Sequence, residues 1–292
     1  EWGDFLARNG FLVGLSIDGP RAMHDTYRVD KGGKPTFDRV LRGWEVLRRH
    51  GVEWNALTAV NAANADHGLE VYRFLRDELG AGYIQFIPIV ERMTADLLPM
   101  ADSGWGVRAA DRPLYRQAGS AVTHRSVTGE QYGRFLVEVY EEWARHDVGD
   151  VFVQMFDTAL AHWLGMDQVG LCVHARTCGS ALALEHNGDL YSCDHYVEPE
   201  YLLGNIADGR TMLELVDLPG QRAFGKAKLD SLPQYCLDCD VRFACNGGCP
   251  KDRFATTPDG EPNLHHLCAG YKEFFGHVDA PMSFMADRLR AG

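Results

Sequence analysis

Residues 236–249 read CLDCDVRFACNGGC and crowd four of the chain's eight cysteines together, with two glycines just before the last. The full spacing is Cys172-x5-Cys178-x14-Cys193, then Cys236-x2-Cys239-x5-Cys245-x3-Cys249-x18-Cys268, and no cysteine precedes Leu171. Eight thiols make two sets of four. Disulfides would need an oxidising compartment, and a C-x2-C pair fits metal ligation better. Tetrahedral zinc sites use such pairs to fold loop-rich modules. Iron–sulfur clusters also take four thiolates, in surroundings that suit Asn246-Gly247-Gly248 and the Pro250 directly after Cys249. Both metals select soft thiolate ligands, so the spacing alone leaves zinc and iron–sulfur open.

The elements that must position these residues change character along the chain. From Phe11 the pattern runs FLVGLSID, TFDRVLRGWEVLRRHG, VEWNALTAV, DHGLEVYRFLRDELG, YIQFIPIV, a βαβαβ series. Leu41, Trp44 and Leu47, then Val71, Phe74 and Leu75, keep helical spacing, and the strands are continuous enough to predict burial in a parallel sheet. Such sheets carry sites at the carboxyl ends of their strands, here residues 16–20, 60–64 and 87–92. Residues 92–127 have no sustained period and read as a long excursion, often a functional lid. A helix over 129–146 and a short apolar strand, VFVQMF, return the chain to the sheet. LALEHNGDLYSC is two short apolar runs around Asn187-Gly188, a strong hairpin signal. Beyond Ser231 little periodicity is seen until the terminal helical stretch YKEFFGHVDAPMSFMADRLR, whose Phe274 and Phe275 are expected in the core. The cysteine region reads as a small second unit that its own core could not hold together.

Composition limits the function classes. With 292 residues, 46% hydrophobic and 24% charged, a globular chain of more than one folding unit is expected. A net charge of -12 without a long Lys/Arg run argues against nucleic acid and anionic membrane as partners. No apolar run approaches the roughly 20 residues that cross a bilayer, so a soluble protein is expected. The chain opens at Glu1 without Met, and EWGDFLARNG reads as the end of an amphipathic helix capped by Gly10, which suggests a fragment.

The run C-x2-C-x5-C-x3-C with a distant Cys after it, and a Cys, a hairpin and another Cys before it, is similar to the SPASM domain of radical S-adenosylmethionine enzymes. Within that superfamily, SIDGP with the following HDTYR, YIQFIPIV, YSCDHYV and the ending CAGYKEFFGHVDAPMSFMADRL resemble the anaerobic sulfatase-maturating enzymes over nearly the whole chain. The resemblance implies an α/β fold: a partial (β/α)6 barrel lacking its N-terminal units over 1–165, with the loop insertion near 92–127. A SPASM domain with the hairpin and C-terminal helices would occupy 166–292. It further implies two auxiliary 4Fe-4S clusters with interleaved ligands, Cys172, Cys178, Cys193 and Cys249 for one and Cys236, Cys239, Cys245 and Cys268 for the other. The full-length parent would add S-adenosylmethionine and a third 4Fe-4S cluster on a C-x3-C-x2-C motif. This chain has no such motif, so by itself it is not expected to cleave S-adenosylmethionine.

The implied reaction oxidises a Cys or Ser of a sulfatase polypeptide to Cα-formylglycine. An external electron carrier such as a flavodoxin or ferredoxin, a monomeric state and a cytoplasmic location go with it. Asp194, next to Cys193, aligns with the family's proposed base, although a solvated turn residue is the ordinary role for an Asp there. His195 could orient substrate or simply pack. Ser16 and Asp18 end a buried strand in the region that the family uses for S-adenosylmethionine, and they equally suit an Asp-Gly-Pro turn. Arg28 could pair with the cofactor's carboxylate or be a surface charge. Gln85, polar on an apolar strand like Asn55 and Thr58, needs a partner or a cavity, and Ile89 could pack on adenine or belong to the core. Two alternatives stay beside this reading: another SPASM-type enzyme that crosslinks or epimerises peptides, and a zinc-stapled binding module without redox chemistry.

Overall fold

The computed structural model of the chain describes residues 1–102, 118–166 and 170–292. It opens with α1 (Trp2–Arg8), β1 (Leu12–Ser16), α2 (Arg21–Tyr27), α3 (Phe37–His50) and β2 (Glu53–Val60). α4 (Gly68–Arg73) widens into a π turn at Phe74–Glu78 before β3 (Tyr83–Pro88). β4 (Arg92–Met93), α5 (Leu98–Asp102), β5 (Ala121–Val122), α6 (Gly129–His146), β6 (Phe152–Val153) and α7 (Gln154–Trp163) follow. Next come β7 (Ala183–Leu184), β8 (Asp189–Tyr191), β9 (Leu202–Asn205), α8 (Met212–Val216), α9 (Pro219–Asp230), α10 (Gln234–Leu237) and α11 (Arg242–Cys245). The chain ends in α12 (Cys268–His277) and α13 (Asp279–Ala291).

These elements form two compact units that do not follow chain order. One comprises Glu1–Val90, His124–Leu160 and Ala269–Met282, the other Glu91–Thr123, Ala161–Cys268 and Ser283–Gly292. In the first, four parallel strands lie in the order β1-β2-β3-β6. Ala56, Thr58, Val60, Ile84 and Phe86 alternate onto a buried face, and Val71, Leu75, Phe135 and Val139 of the helices are buried as well. Asn55, Leu57, Ala59 and Gln85 alternate onto the other face and are half-buried, while Gly14 and Ile87 are exposed. The parallel sheet expected from the sequence is present, with one face buried and the other half-buried. Leu57 and Ile87 make the runs look continuous, yet among the described residues only one face is buried.

Local signals account for the helices. Gly51, at φ 64, closes α3 in the left-handed region that a side chain disfavours. Thr128 and Gln131 cap α6 reciprocally. α6 and α12 approach closely because Gly129, Gly133 and Gly270 carry no Cβ: one built at Gly270 would overlap the carbonyl oxygen of Gly129. Phe274 and Phe275 are fully buried, and Phe274 stacks on Phe156 with ring centroids 5.7 Å apart. The expectation for VFVQMF is corrected. Only Phe152 and Val153 extend the sheet, and a helix begins at Gln154, burying Met155, Phe156 and Ala159 on one side.

In the second unit, β7, β8 and β9 form an antiparallel sheet. Its first turn uses Gly188 at φ 91, in the Asn-Gly hairpin expected from the sequence. The sequence did not reveal β9. Within the 92–127 excursion, β4 pairs antiparallel with β5, and Arg92 lies 5.0 Å over the Phe254 ring; residues 103–117 fall outside the described residues. The terminal stretch is two helices, divided at the buried Val278.

Candidate functional site

The eight cysteines all lie in the second unit, as thiols rather than disulfides. Burial pushes the Cys193 thiol up to about 12, and Asp194 and Cys249 push in the same direction. Cys249 is pushed up to about 11 by burial, with Asp252 and Cys178 adding to it. Cys178 is raised by burial and also by Cys172. These couplings join Cys172, Cys178, Cys193 and Cys249 into one neighbourhood. In the other, Cys245 is pushed up to about 12 by burial, and further by Cys268, Cys236 and Cys239. Thiols so raised keep their protons at neutral pH unless a metal takes the protons' place.

The chain passes between these neighbourhoods at Asn246, Gly247 and Gly248, which have φ 48, 70 and 63. Three successive left-handed residues turn the backbone sharply between Cys245 and Cys249, and glycine is the residue that adopts this without strain. Space also requires it. A Cβ at Gly248 would lie 2.7 Å from His265 Nε2, and one at Gly247 2.8 Å from Arg253 Nη2. Arg253, 6% exposed, holds the turn from inside: its Nε donates to Gly247 O at 2.8 Å, and Nη2 donates to Asn246 O and Gly248 O at 3.0 and 3.2 Å. Lys228 is wholly buried and donates from Nζ to the carbonyls of Cys172 and Val173, at 2.7 and 2.8 Å. Two groups of buried and half-buried thiols beside two buried cations make a donor set suited to four-thiolate centres of net negative charge.

Asp194 follows β8 and is exposed. Its backbone N–H donates to Ala181 O at 3.1 Å, and the Cys193 thiol donates to its Oδ1 at 3.3 Å. His195 donates its backbone N–H to Cys193 Sγ at 3.5 Å, and its Nδ1 lies 3.8 Å from Cys249 Sγ. Burial lowers its pKa, so its ring is neutral at pH 7. Ligand atoms of Cys193, Asp194 and His195 all fall within 4.8 Å of one another.

The five residues considered for the cofactor all lie in the first unit. Ser16 ends β1 and pairs in register with Leu57, which pairs with Gln85, so Ser16 and Gln85 share one row of the open face. Ile89 follows β3 and donates its N–H to Val60 O at 2.8 Å. Asp18 and Arg28 are brought together with each other. Asp18, 2% exposed, accepts from Arg28 Nε at 2.8 Å and Nη2 at 3.0 Å, and from Ala59 N–H at 2.9 Å. Its carboxylate is thus committed to anchoring Arg28, whose Nη1 donors have no partner among the described residues. Thr58 is satisfied internally, donating to Ile17 O at 2.8 Å.

Sequence reasoning missed Lys228 and Arg253. Lys228 sits in PGQRAFGKAKLD, which reads as a surface helix, and Arg253 in a stretch with no period. Only the neighbouring Gly247-Gly248 pair, a sign of close backbone approach, pointed towards a buried group there.

Residues 172–240 match the SPASM iron–sulfur cluster-binding domain. The class of protein is therefore one that combines an iron–sulfur domain of the SPASM type with an α/β unit. The chain is 46% identical to a serine-type anaerobic sulfatase-maturating enzyme of Bacteroides thetaiotaomicron, an alignment that covers 99% of this chain and 67% of that protein. It belongs to the anaerobic sulfatase-maturating enzymes. A serine-type relative from Klebsiella aerogenes is 34% identical over 96% of this chain and 61% of its own length. A cysteine-type relative from Clostridium perfringens is 29% identical over 99% and 71%. A solved structure of anSMEcpe with bound AdoMet and the Cp18Cys peptide superposes with a TM-score of 0.80 at 29% identity, over 99% of this chain and 73% of that one. The chain thus spans roughly two thirds of the length of these curated relatives. No helix among the described residues is long and apolar enough to cross a membrane.

Proposed function

We propose that the protein containing this chain oxidises a Cys or Ser of a sulfatase polypeptide to Cα-formylglycine, using S-adenosylmethionine and iron–sulfur clusters. The observation that carries this is the Cys193 thiol 3.3 Å from Asp194 Oδ1, which sets a proton acceptor beside one of four coupled thiols. Cys172, Cys178, Cys193 and Cys249 would hold one auxiliary 4Fe-4S cluster, and Cys236, Cys239, Cys245 and Cys268 the second. The coupling of the thiols in these two sets supports that division. The four parallel strands are read as part of a (β/α)6 barrel. Their half-open face, carrying Ser16 and Gln85, is where S-adenosylmethionine would bind, with Ile89 packing on adenine and Arg28 holding the carboxylate.

When bound, the cofactors supply the radical that takes a hydrogen atom from the substrate Cβ and the centre that accepts one electron. Asp194 Oδ1 receives the proton of the substrate thiol or hydroxyl. Loss of one hydrogen atom, one proton and one electron turns Ser into the aldehyde, and Cys into a thioaldehyde that water hydrolyses. Asp18 keeps Arg28 in place, and neutral His195 adds no charge beside Asp194.

The test incubates the full-length protein anaerobically with S-adenosylmethionine, a one-electron reductant and C-x-P-x-R or S-x-P-x-R peptides. The expected product has exchanged the elements of hydrogen sulfide for one oxygen in the Cys peptide, or lost two hydrogens in the Ser peptide. An unchanged peptide sinks the reading, and a crosslinked or epimerised one favours a different SPASM-type modification. Zinc in place of iron would make the cysteine region a binding module without redox chemistry.

A further inference from the structure

Lys228 and Arg253 are buried cations, and no carboxylate among the described residues forms an ion pair with either. The carboxylate next to Arg253 in sequence is taken: Asp252 pairs with Lys251 at 2.8 Å. Besides the three carbonyls of the crossover, Arg253 donates from Nη1 to Lys228 O at 2.6 Å and to Ser231 Oγ at 3.3 Å. All five acceptors are neutral. A cation taken out of water is destabilised unless an opposite charge offsets the loss of hydration, and guanidinium does not shed its proton to escape that cost. The charges around it point to the missing partner. Arg253 is coupled to Cys236 and Cys245 of one set and to Cys178 and Cys249 of the other. Lys228 is coupled to Cys178, Cys249 and Cys172, all of one set.

We propose that Arg253 is the shared counter-cation of the two cysteine sets and raises the reduction potential of the iron–sulfur cluster on each. This rests on the reading above that each set holds such a cluster. When a cluster takes up one electron, no bond forms or breaks and its charge falls by one unit. A fixed positive charge at the turn joining the two sets favours that state at both. Lys228 acts on the first set alone. Arg253 is thus a positioning residue with an electrostatic role: it holds the crossover in shape and lets both centres accept an electron more readily.

The experiment titrates the anaerobically reconstituted protein with dithionite and mediator dyes, following each cluster by electron paramagnetic resonance, with iron measured in parallel. Arg253→Met and Arg253→Gln are compared with Arg253→Lys and Lys228→Met. With full iron, either neutral Arg253 variant is expected to lower the reduction equilibrium constant of both auxiliary clusters about tenfold, or about 59 mV for a one-electron couple. Arg253→Lys should stay near wild type, and Lys228→Met should shift one cluster only. Unchanged potentials in a fully loaded neutral variant, or a shift of one cluster alone, overturn the proposal. Iron lost from both neutral variants but kept by Arg253→Lys supports a required charge, whereas iron lost from all three overturns it in favour of shape alone. Wild-type protein well short of about eight irons per chain contradicts the underlying two-cluster reading and removes the proposal with it.

Discussion

The Nε of Arg253 donates a 2.8 Å hydrogen bond to the carbonyl oxygen of Gly247, fixing the middle of the left-handed turn that separates Cys245 from Cys249. Cys245 is raised by Cys268, Cys236 and Cys239, and Cys249 by Cys178, which supports the proposal that the run is a crossover between two sets rather than one four-thiol site. Gly248→Ala is expected to lower stability by about 1–3 kcal/mol, from overpacking against His265 and strain at φ 63. Denaturant midpoints and iron content measure this. A variant as stable and iron-rich as wild type would mean that the turn has another shape.

Asp194→Asn keeps the side chain's size and removes its capacity to accept a proton. Turnover should fall by about 10²–10⁴-fold with peptide KM and iron content unchanged. Turnover within about threefold of wild type would assign the proton to another group.

Gly270 meets Gly129 where α6 and α12 come together, and a Cβ there has backbone on its far side rather than a flexible side chain. Gly270→Ala should lower stability by about 1–3 kcal/mol. An unchanged urea midpoint would contradict the close approach of the two helices.

Asp157 on α7 is half-buried, makes no hydrogen bond or ion pair among the described residues, and is pushed by burial up to about 6. The folded state thus holds this proton more tightly than the unfolded chain does. The stability this contributes is complete below the ordinary carboxylate range and is lost as pH rises through about 6. Asp157→Asn should therefore stabilise the protein by about 1–3 kcal/mol at pH 7.5, with the gain shrinking towards pH 5. A difference that does not depend on pH would count against this account of Asp157.

The sequence made legible what is written in local pattern. Strands β1 to β3 carry largely apolar runs, α3 ends on Gly51, and the Asn187-Gly188 turn announces its hairpin. Where the pattern is short, tertiary packing decided. VFVQMF is apolar enough for a buried strand or a buried helix, and the burial of Met155, Phe156 and Ala159 selected the helix. Of the candidate site residues, the cysteines stand out in the sequence by their spacing, while Asp194 becomes a candidate only through the family resemblance, since an Asp beside a hairpin is ordinary. Lys228 and Arg253 could not be read, since a Lys in a helix and an Arg in a loop are ordinary at a surface, and only the fold shows that no carboxylate among the described residues pairs with them. Asp18 and Arg28 were legible singly, but their pairing depends on how residues 16–28 fold back.

Iron per chain in Cys245→Ala, Cys249→Ala and the double variant tests the central claim most directly. If the run is a crossover between two four-iron centres, each single variant should lose about four of about eight irons and the double variant nearly all. Equal losses in both single variants, with no further loss in the double, would place the two thiols on one centre and contradict it.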